Sequence, residues 1–146
     1  MAKEKVTTVD PVEEVNNLVS KALVALDKFK EIECQEKIDK IVHAAAVAAL
    51  DQHGPLAIAA FEETGRGLVE DKAIKNLFAC EYITNNLRDL KTVGIVDKDE
   101  SDGLTTIAEP VGVVCGIVPT TNPTSTTVFK SLICLKTRNP IIFSFH

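Results

Sequence analysis

No acidic residue follows Glu109: all 21 Asp and Glu lie at or before it, and from Pro110 onward the fixed charges are Lys130, Lys136 and Arg138. That imbalance would suit an anionic ligand in the back of the chain. It follows equally if the segment is buried, because carboxylates are costly to bury. A net charge of -5 and the lack of a basic stripe interleaved with aromatics argue against nucleic-acid binding. The four cysteines, at 34, 80, 115 and 134, show no C-x-x-C spacing, and His43 and His53 are ten positions apart rather than an i, i+4 pair. Neither a zinc site nor a disulfide framework is indicated, so no metal is expected and the thiols read as free, as in a reduced cytoplasmic setting. There is no G-x-G-x-x-G and no G-K-[ST], which removes the standard dinucleotide fingerprint and the P-loop. The longest apolar stretches, Ala44 to Leu50 and Val111 to Val118, are far too short to span a bilayer, and MAKEKVTTVDPVEE has no apolar signal region. Repeats and Pro/Gly/Ser-rich linkers are also missing, so the chain reads as one unit.

What is present reads as helices first. Asp10, Pro11 and Glu13 supply an N-cap, a first-turn proline and an early acid, and Val12, Val15, Val19, Leu23, Leu26 and Phe29 recur at helical spacing as a face to be buried. A second helix is expected from about Gln35 to Gln52, with Ile38, Ile41, Val42, Ala45 and Ala49 inward and Gly54-Pro55 as its stop. His53 is placed to aid that C-terminus. A short helix, Pro55 to Thr64, should end at Gly65-Arg66-Gly67, and a longer one, about Leu68 to Leu90, should bury Ile74, Leu77, Phe78 and Ile83. Together these helices are expected to cover one face of a sheet.

From Lys91 the period changes. Thr92 to Val96 and Leu104 to Ala108 read as strands around a solvated loop, DKDESDG. Val111 to Val118 is β-branched and almost uninterrupted, as in a strand covered on both faces, and Cys115 within it reads as a small core hydrophobe. Pro119 ends the strand, and Asn122-Pro123 then opens a helix that carries Val128, Leu132 and Leu135. After Asn139-Pro140 comes the strand Ile141 to Phe143. Strand, helix, strand is the βαβ unit of a parallel sheet, and the fold class is α/β: about 10–90 helical, 91–110 a small strand extension, 111–146 the first βαβ of a nucleotide domain. Ligands of such sheets sit at the carboxyl ends of the strands, here residues 119–122 and 144–146.

Thr120, Thr121, Thr124, Ser125, Thr126 and Thr127 place hydroxyls around a helix amino terminus, where unpaired N–H groups favour negative charge. Asn122 admits two compatible readings. Its side-chain oxygen could cap the helix, while its nitrogen could donate to a ligand.

The string AEPVGVVCGIVPTTNPTSTTVFKSLICLKTRNPIIFS, Ala108 to Ser144, together with ETGRGLVEDKAIKN, Glu63 to Asn76, resembles the acylating branch of the aldehyde dehydrogenases, and within it the bifunctional aldehyde-alcohol dehydrogenases. The resemblance covers nearly the whole chain and implies a Rossmann-like NAD-binding domain. It implies NAD contacts at Val118, Pro119, Thr120, Thr121, Ser144 and His146, and a strand extension that serves subunit assembly. Asn122 matches the family's oxyanion asparagine, although PTTNP sets it fourth where the commoner PWNFP sets it third. In the acylating branch the second strand ends in SPHP; here it reads Ser144-Phe145-His146.

The reaction implied is NAD-dependent, CoA-acylating oxidation of acetaldehyde to acetyl-CoA, or its fermentative reversal, in a cytoplasmic homo-oligomer. The resemblance also places the nucleophilic cysteine beyond residue 146. The chain is therefore expected to be the front piece of an enzyme, inactive alone; the alternative expectation is a non-catalytic piece that docks on the full-length homologue.

Overall fold

The computed structural model describes residues 10–145. Helix α1 (Pro11–Lys30) starts as its sequence dictates: Asp10 is extended, its carboxylate accepts the Val12 N–H at 3.1 Å, and Glu13 and Glu14 face the positive end of the helix dipole. Helix α2 (Gln35–Asp51) is followed almost at once by α3 (His53–Thr64), so Gly54-Pro55 is not the expected stop but the first turn of the next helix. Proline lacks only an N–H that would have no partner there. The His53 Nδ1 lies 2.6 Å from the Leu50 carbonyl, where it serves the end of α2 as expected. Gly65, at φ 62, closes α3 and donates its N–H to the Phe61 carbonyl at 2.7 Å.

Helix α4 (Val69–Arg88) buries Lys72, Asn76, Ala79 and Cys80, and leaves Ile74 and Phe78 more than half exposed, which corrects the expected apolar side. The buried face is the one whose small residues allow close approach and whose polar tips find backbone partners: Asn76 Nδ2 donates to the His53 carbonyl at 2.9 Å, and Lys72 Nζ to the Thr121 carbonyl at 2.9 Å. Helix α1 departs similarly. Ala22 and Leu26 are buried, whereas Val12, Val15 and Leu23 remain exposed.

Strands β1 (Gly94–Asp99) and β2 (Leu104–Ala108) pair antiparallel. The residues Asp97 to Asp99, expected in a loop, lie in the ladder, which shifts register between Ile95 and Asp97. The turn is tight because the Asp99 carboxylate accepts the Ser101 hydroxyl at 2.6 Å and the N–H groups of Ser101 and Asp102. These bonds, the hydroxyl's first, hold the Asp99 carboxyl below its usual value.

Strand β3 (Val114–Val118), helix α5 (Pro123–Lys136) and strand β4 (Ile141–Phe145) form the expected βαβ unit, with parallel pairing from Val114 with Ile141 to Val118 with Phe145. Burial along β3 alternates, however. Gly116 and Val118 are buried while Cys115 and Ile117 are exposed, so the expected two-sided cover is corrected and Cys115 is a surface thiol. Helix α5 lies on one face only. The other helices do not form a layer on the sheet: α2, α3 and α4 pack on α5, and α1 alone of those four touches it, at β4. The core is accordingly Ile38, Val42 and Ala46 of α2 with Val93 and Leu132.

Candidate functional site

Val118 is fully buried and ends β3, and the chain then turns through residues 119–122 into α5. Three polar residues of α4 hold that turn. Besides the Lys72 bond to the Thr121 carbonyl, Asn76 Oδ1 accepts the Thr124 hydroxyl at 2.8 Å and Lys75 Nζ donates to Asn122 Oδ1 at 2.9 Å. Asn122 occupies the N-cap position, yet its side chain makes no capping bond, and that expectation is corrected. The reason is the lysine: an ammonium donor is a stronger partner for the amide oxygen than a backbone N–H. The Asn122 Nδ2 donates to the Thr121 hydroxyl at 3.2 Å.

The turn divides two cavities. One, of about 510 Å³, lies at the strand ends between α3 and α5 and is lined by Val118, Pro119, Thr120 and Phe145 against Ala60 and Thr64. Three of the expected cofactor residues thus come together. Thr121 is exposed outside that lining, Ser144 is exposed in the β4 ladder opposite Ile117, and His146 lies outside the described residues. The second cavity, of about 530 Å³, lies between α4 and α5, and Asn122 lines it with Lys75, Phe78, Ile83, Ser125 and Phe129. Each volume falls in the range of small-molecule sites.

None of the four thiols lines either cavity. Burial pushes the Cys80 thiol up; it does the same to Cys134, where the Lys130 ammonium partly opposes it. Among the described residues no three His, Cys, Asp or Glu side chains gather as a metal site, and no helix is long and apolar enough to cross a membrane.

Lys72, Lys75 and Asn76 escape a reading of the sequence because two lysines a turn apart look like a solvated face. The one available signal is Asn76, a residue disfavoured in a helix interior unless its amide has a partner elsewhere.

The pattern of the aldehyde dehydrogenase family matches residues 4–144. The chain is 62% identical to aldehyde-alcohol dehydrogenase 2 of Entamoeba histolytica over 147 residues, covering 100% of this chain and 17% of that protein. It is 56% identical to the bifunctional aldehyde-alcohol dehydrogenase of Escherichia coli K12 over 135 residues, covering 92% of this chain and 15% of that one. The chain thus spans about a sixth of the curated relatives it matches.

Among solved structures, the acetylating aldehyde dehydrogenase of Geobacillus thermoglucosidasius superposes with TM-score 0.90 at 50% identity, over 92% of this chain and 30% of that one. The Rhodopseudomonas palustris propionaldehyde dehydrogenase with bound CoA and an acylated cysteine gives 0.74 at 32% identity, over 90% and 29%. An engineered glycolyl-CoA reductase with bound NADP+ gives 0.73 at 32% identity, again over 90% and 29%.

Proposed function

The chain belongs to the aldehyde dehydrogenase family, a family of oxidoreductases, and from that premise we propose that it is the amino-terminal part of an NAD-dependent, CoA-acylating acetaldehyde dehydrogenase of the aldehyde-alcohol dehydrogenase type. The observation that carries this reading is the 62% identity to aldehyde-alcohol dehydrogenase 2 along the whole chain. In it, residues 10–90 are the helical part, 91–110 a strand extension for subunit assembly, and 111–146 the first βαβ of the nucleotide domain. The whole assembly is a cytoplasmic homo-oligomer that interconverts acetaldehyde and acetyl-CoA in fermentation.

The residues at the strand ends fit the nucleotide. The apolar wall of Val118, Pro119 and Phe145 suits a flat ring, and the hydroxyl-bearing start of α5 suits its anionic and ribose groups. Bound NAD supplies the hydride acceptor. In this reading Val118 to Thr121, with Ser144 and His146, would hold and orient it. Across the turn Asn122 lines the second cavity, and in this reading its amide N–H is the donor for the oxyanion that develops when a thiolate attacks the aldehyde carbon.

None of this chain's thiols lies at that place, so the 146-residue polypeptide alone is inactive in this reading. A second reading, a non-catalytic piece that docks on a full-length homologue, draws on the exposed apolar residues of α1 and β3. The test is a chimera in which residues 10–145 replace the matching segment of the Entamoeba relative. NADH formation with acetaldehyde and CoA by the chimera, and none by the 146-residue polypeptide, is expected. An inactive but folded chimera, or turnover by the polypeptide that Cys115→Ala abolishes, overturns the proposal.

A further inference from the structure

We propose that Lys75 is a positioning residue for Asn122, deciding which end of its amide faces the reacting oxygen; this rests on the reading of Asn122 as an oxyanion donor. An asparagine amide is ambiguous by itself, because a half-turn exchanges an acceptor for two donors of nearly the same shape. At a site where negative charge develops, one orientation stabilises and the other repels. An ammonium removes the ambiguity, since it has three donors and no acceptor and so accommodates only the oxygen.

Lys75 Nζ sits 2.9 Å from Asn122 Oδ1. The nitrogen is thereby left as the free end of the amide, with one hydrogen on the Thr121 hydroxyl at 3.2 Å and the other without a partner among the described protein residues. That second hydrogen is the donor the reaction needs. The same contact polarises the amide, which strengthens its N–H as a donor.

The base of the lysine is fixed even though its tip is exposed. Lys72 and Asn76, on either side of it along α4, are both buried and bonded to Thr121 and Thr124, so the helix cannot rotate relative to the turn without breaking those bonds.

The active chimera described above provides the test. Lys75→Met is expected to lower kcat about tenfold while the KM values for CoA and NAD stay within about twofold, and Lys75→Arg to recover most of the loss. Adding Lys75→Met to Asn122→Ala is expected to lower kcat no further than Asn122→Ala alone, because the lysine acts only through the amide. Unchanged kcat in Lys75→Met, or independent and multiplying losses in the double variant, overturns the assignment of Lys75 while leaving Asn122 as a donor. Unchanged kcat in Asn122→Ala removes the role of Asn122 and with it that of Lys75. A fall in kcat matched by a lowered Tm in Lys75→Met that Lys75→Arg does not rescue shows a purely structural residue and equally overturns the proposal.

Discussion

An asparagine before a proline at the start of a helix ordinarily caps it, and the dipeptide Asn122-Pro123 does mark the start of α5. What it cannot disclose is where the side chain goes, because Lys75 is 47 positions away and the partner is chosen by how α4 packs. Since the amide makes no capping bond, its loss should leave folding nearly intact. In the active chimera, Asn122→Asp should keep a partner for Lys75, change stability by under about 0.5 kcal/mol as exposed ion pairs do, and replace the donor by a repelling carboxylate. The expected cost is about 2.7–4 kcal/mol of transition-state stabilisation, the loss typical for one oxyanion donor; near-normal kcat would reduce Asn122 to a structural residue.

The thiols give a second prediction at this scale. Cys34 and Cys115 are exposed and Cys80 and Cys134 buried, so native protein at pH 8 should expose two of its four thiols to a thiol reagent and all four after denaturation. Burial raises the two inner thiols, so the unfolded chain loses their protons first. Stability is therefore full at neutral pH and falls as pH rises through the ordinary thiol value of 9.0 toward the folded one. A Tm unchanged between pH 8 and pH 10 would contradict this.

At the scale of elements, the parts that follow local rules are the legible ones. The capped start of α1, the Gly65 end of α3 and the strand, helix, strand order of β3, α5 and β4 are all readable, because each is dictated by residues adjacent in sequence. The faces are less so. Cys115 reads as a core residue from its Val and Ile neighbours, but a two-stranded sheet with a helix on one side gives alternating burial whatever its sequence. The extension of β1 through Asp99 likewise comes from pairing with Leu104 to Thr106, a tertiary choice that overrides turn-forming residues.

Lys136 is the clearest case of a role that only packing assigns. Its ammonium, 2% exposed at the side chain, lies 2.6 Å from Asp39, which is 40% exposed. It joins α5 to α2 beside Gln35, whose amide also donates to Asp39 at 2.9 Å and whose oxygen accepts the Thr92 N–H at 2.7 Å. The asymmetry of exposure predicts an asymmetry of cost. Asp39→Ala leaves a buried cation unpaired and should destabilise by about 3 kcal/mol, whereas Lys136→Met leaves a carboxylate that water can reach and fills the same volume, at about 1 kcal/mol or less. Urea unfolding of both variants measures the difference; equal losses would mean that the carboxylate depends on the lysine as much as the reverse.

For the molecule as a whole, the apolar surface decides behaviour. The β3–β4 sheet has two strands, and parallel strands are ordinarily covered on both faces and flanked by neighbours. Here Ile117 and Phe145 are exposed on it, as are Val12, Val15 and Leu23 on α1, and the β1–β2 hairpin packs on no other element among the described residues. Among the described residues the hairpin's side-chain tether is Arg138, whose guanidinium bridges the Ala108 carbonyl at 3.0 Å and the Ile32 carbonyl at 3.2 Å. Unpaired strand edges and contiguous apolar patches are templates for association. The 146-residue polypeptide should therefore self-associate, or bind a full-length homologue, through these surfaces. Light scattering after size exclusion is expected to give a mass above that of one chain, falling as charges are introduced at Ile117 and Leu23. A monodisperse 15.8 kDa species with a sharp cooperative unfolding transition would show instead that α5 and its helices bury enough on their own.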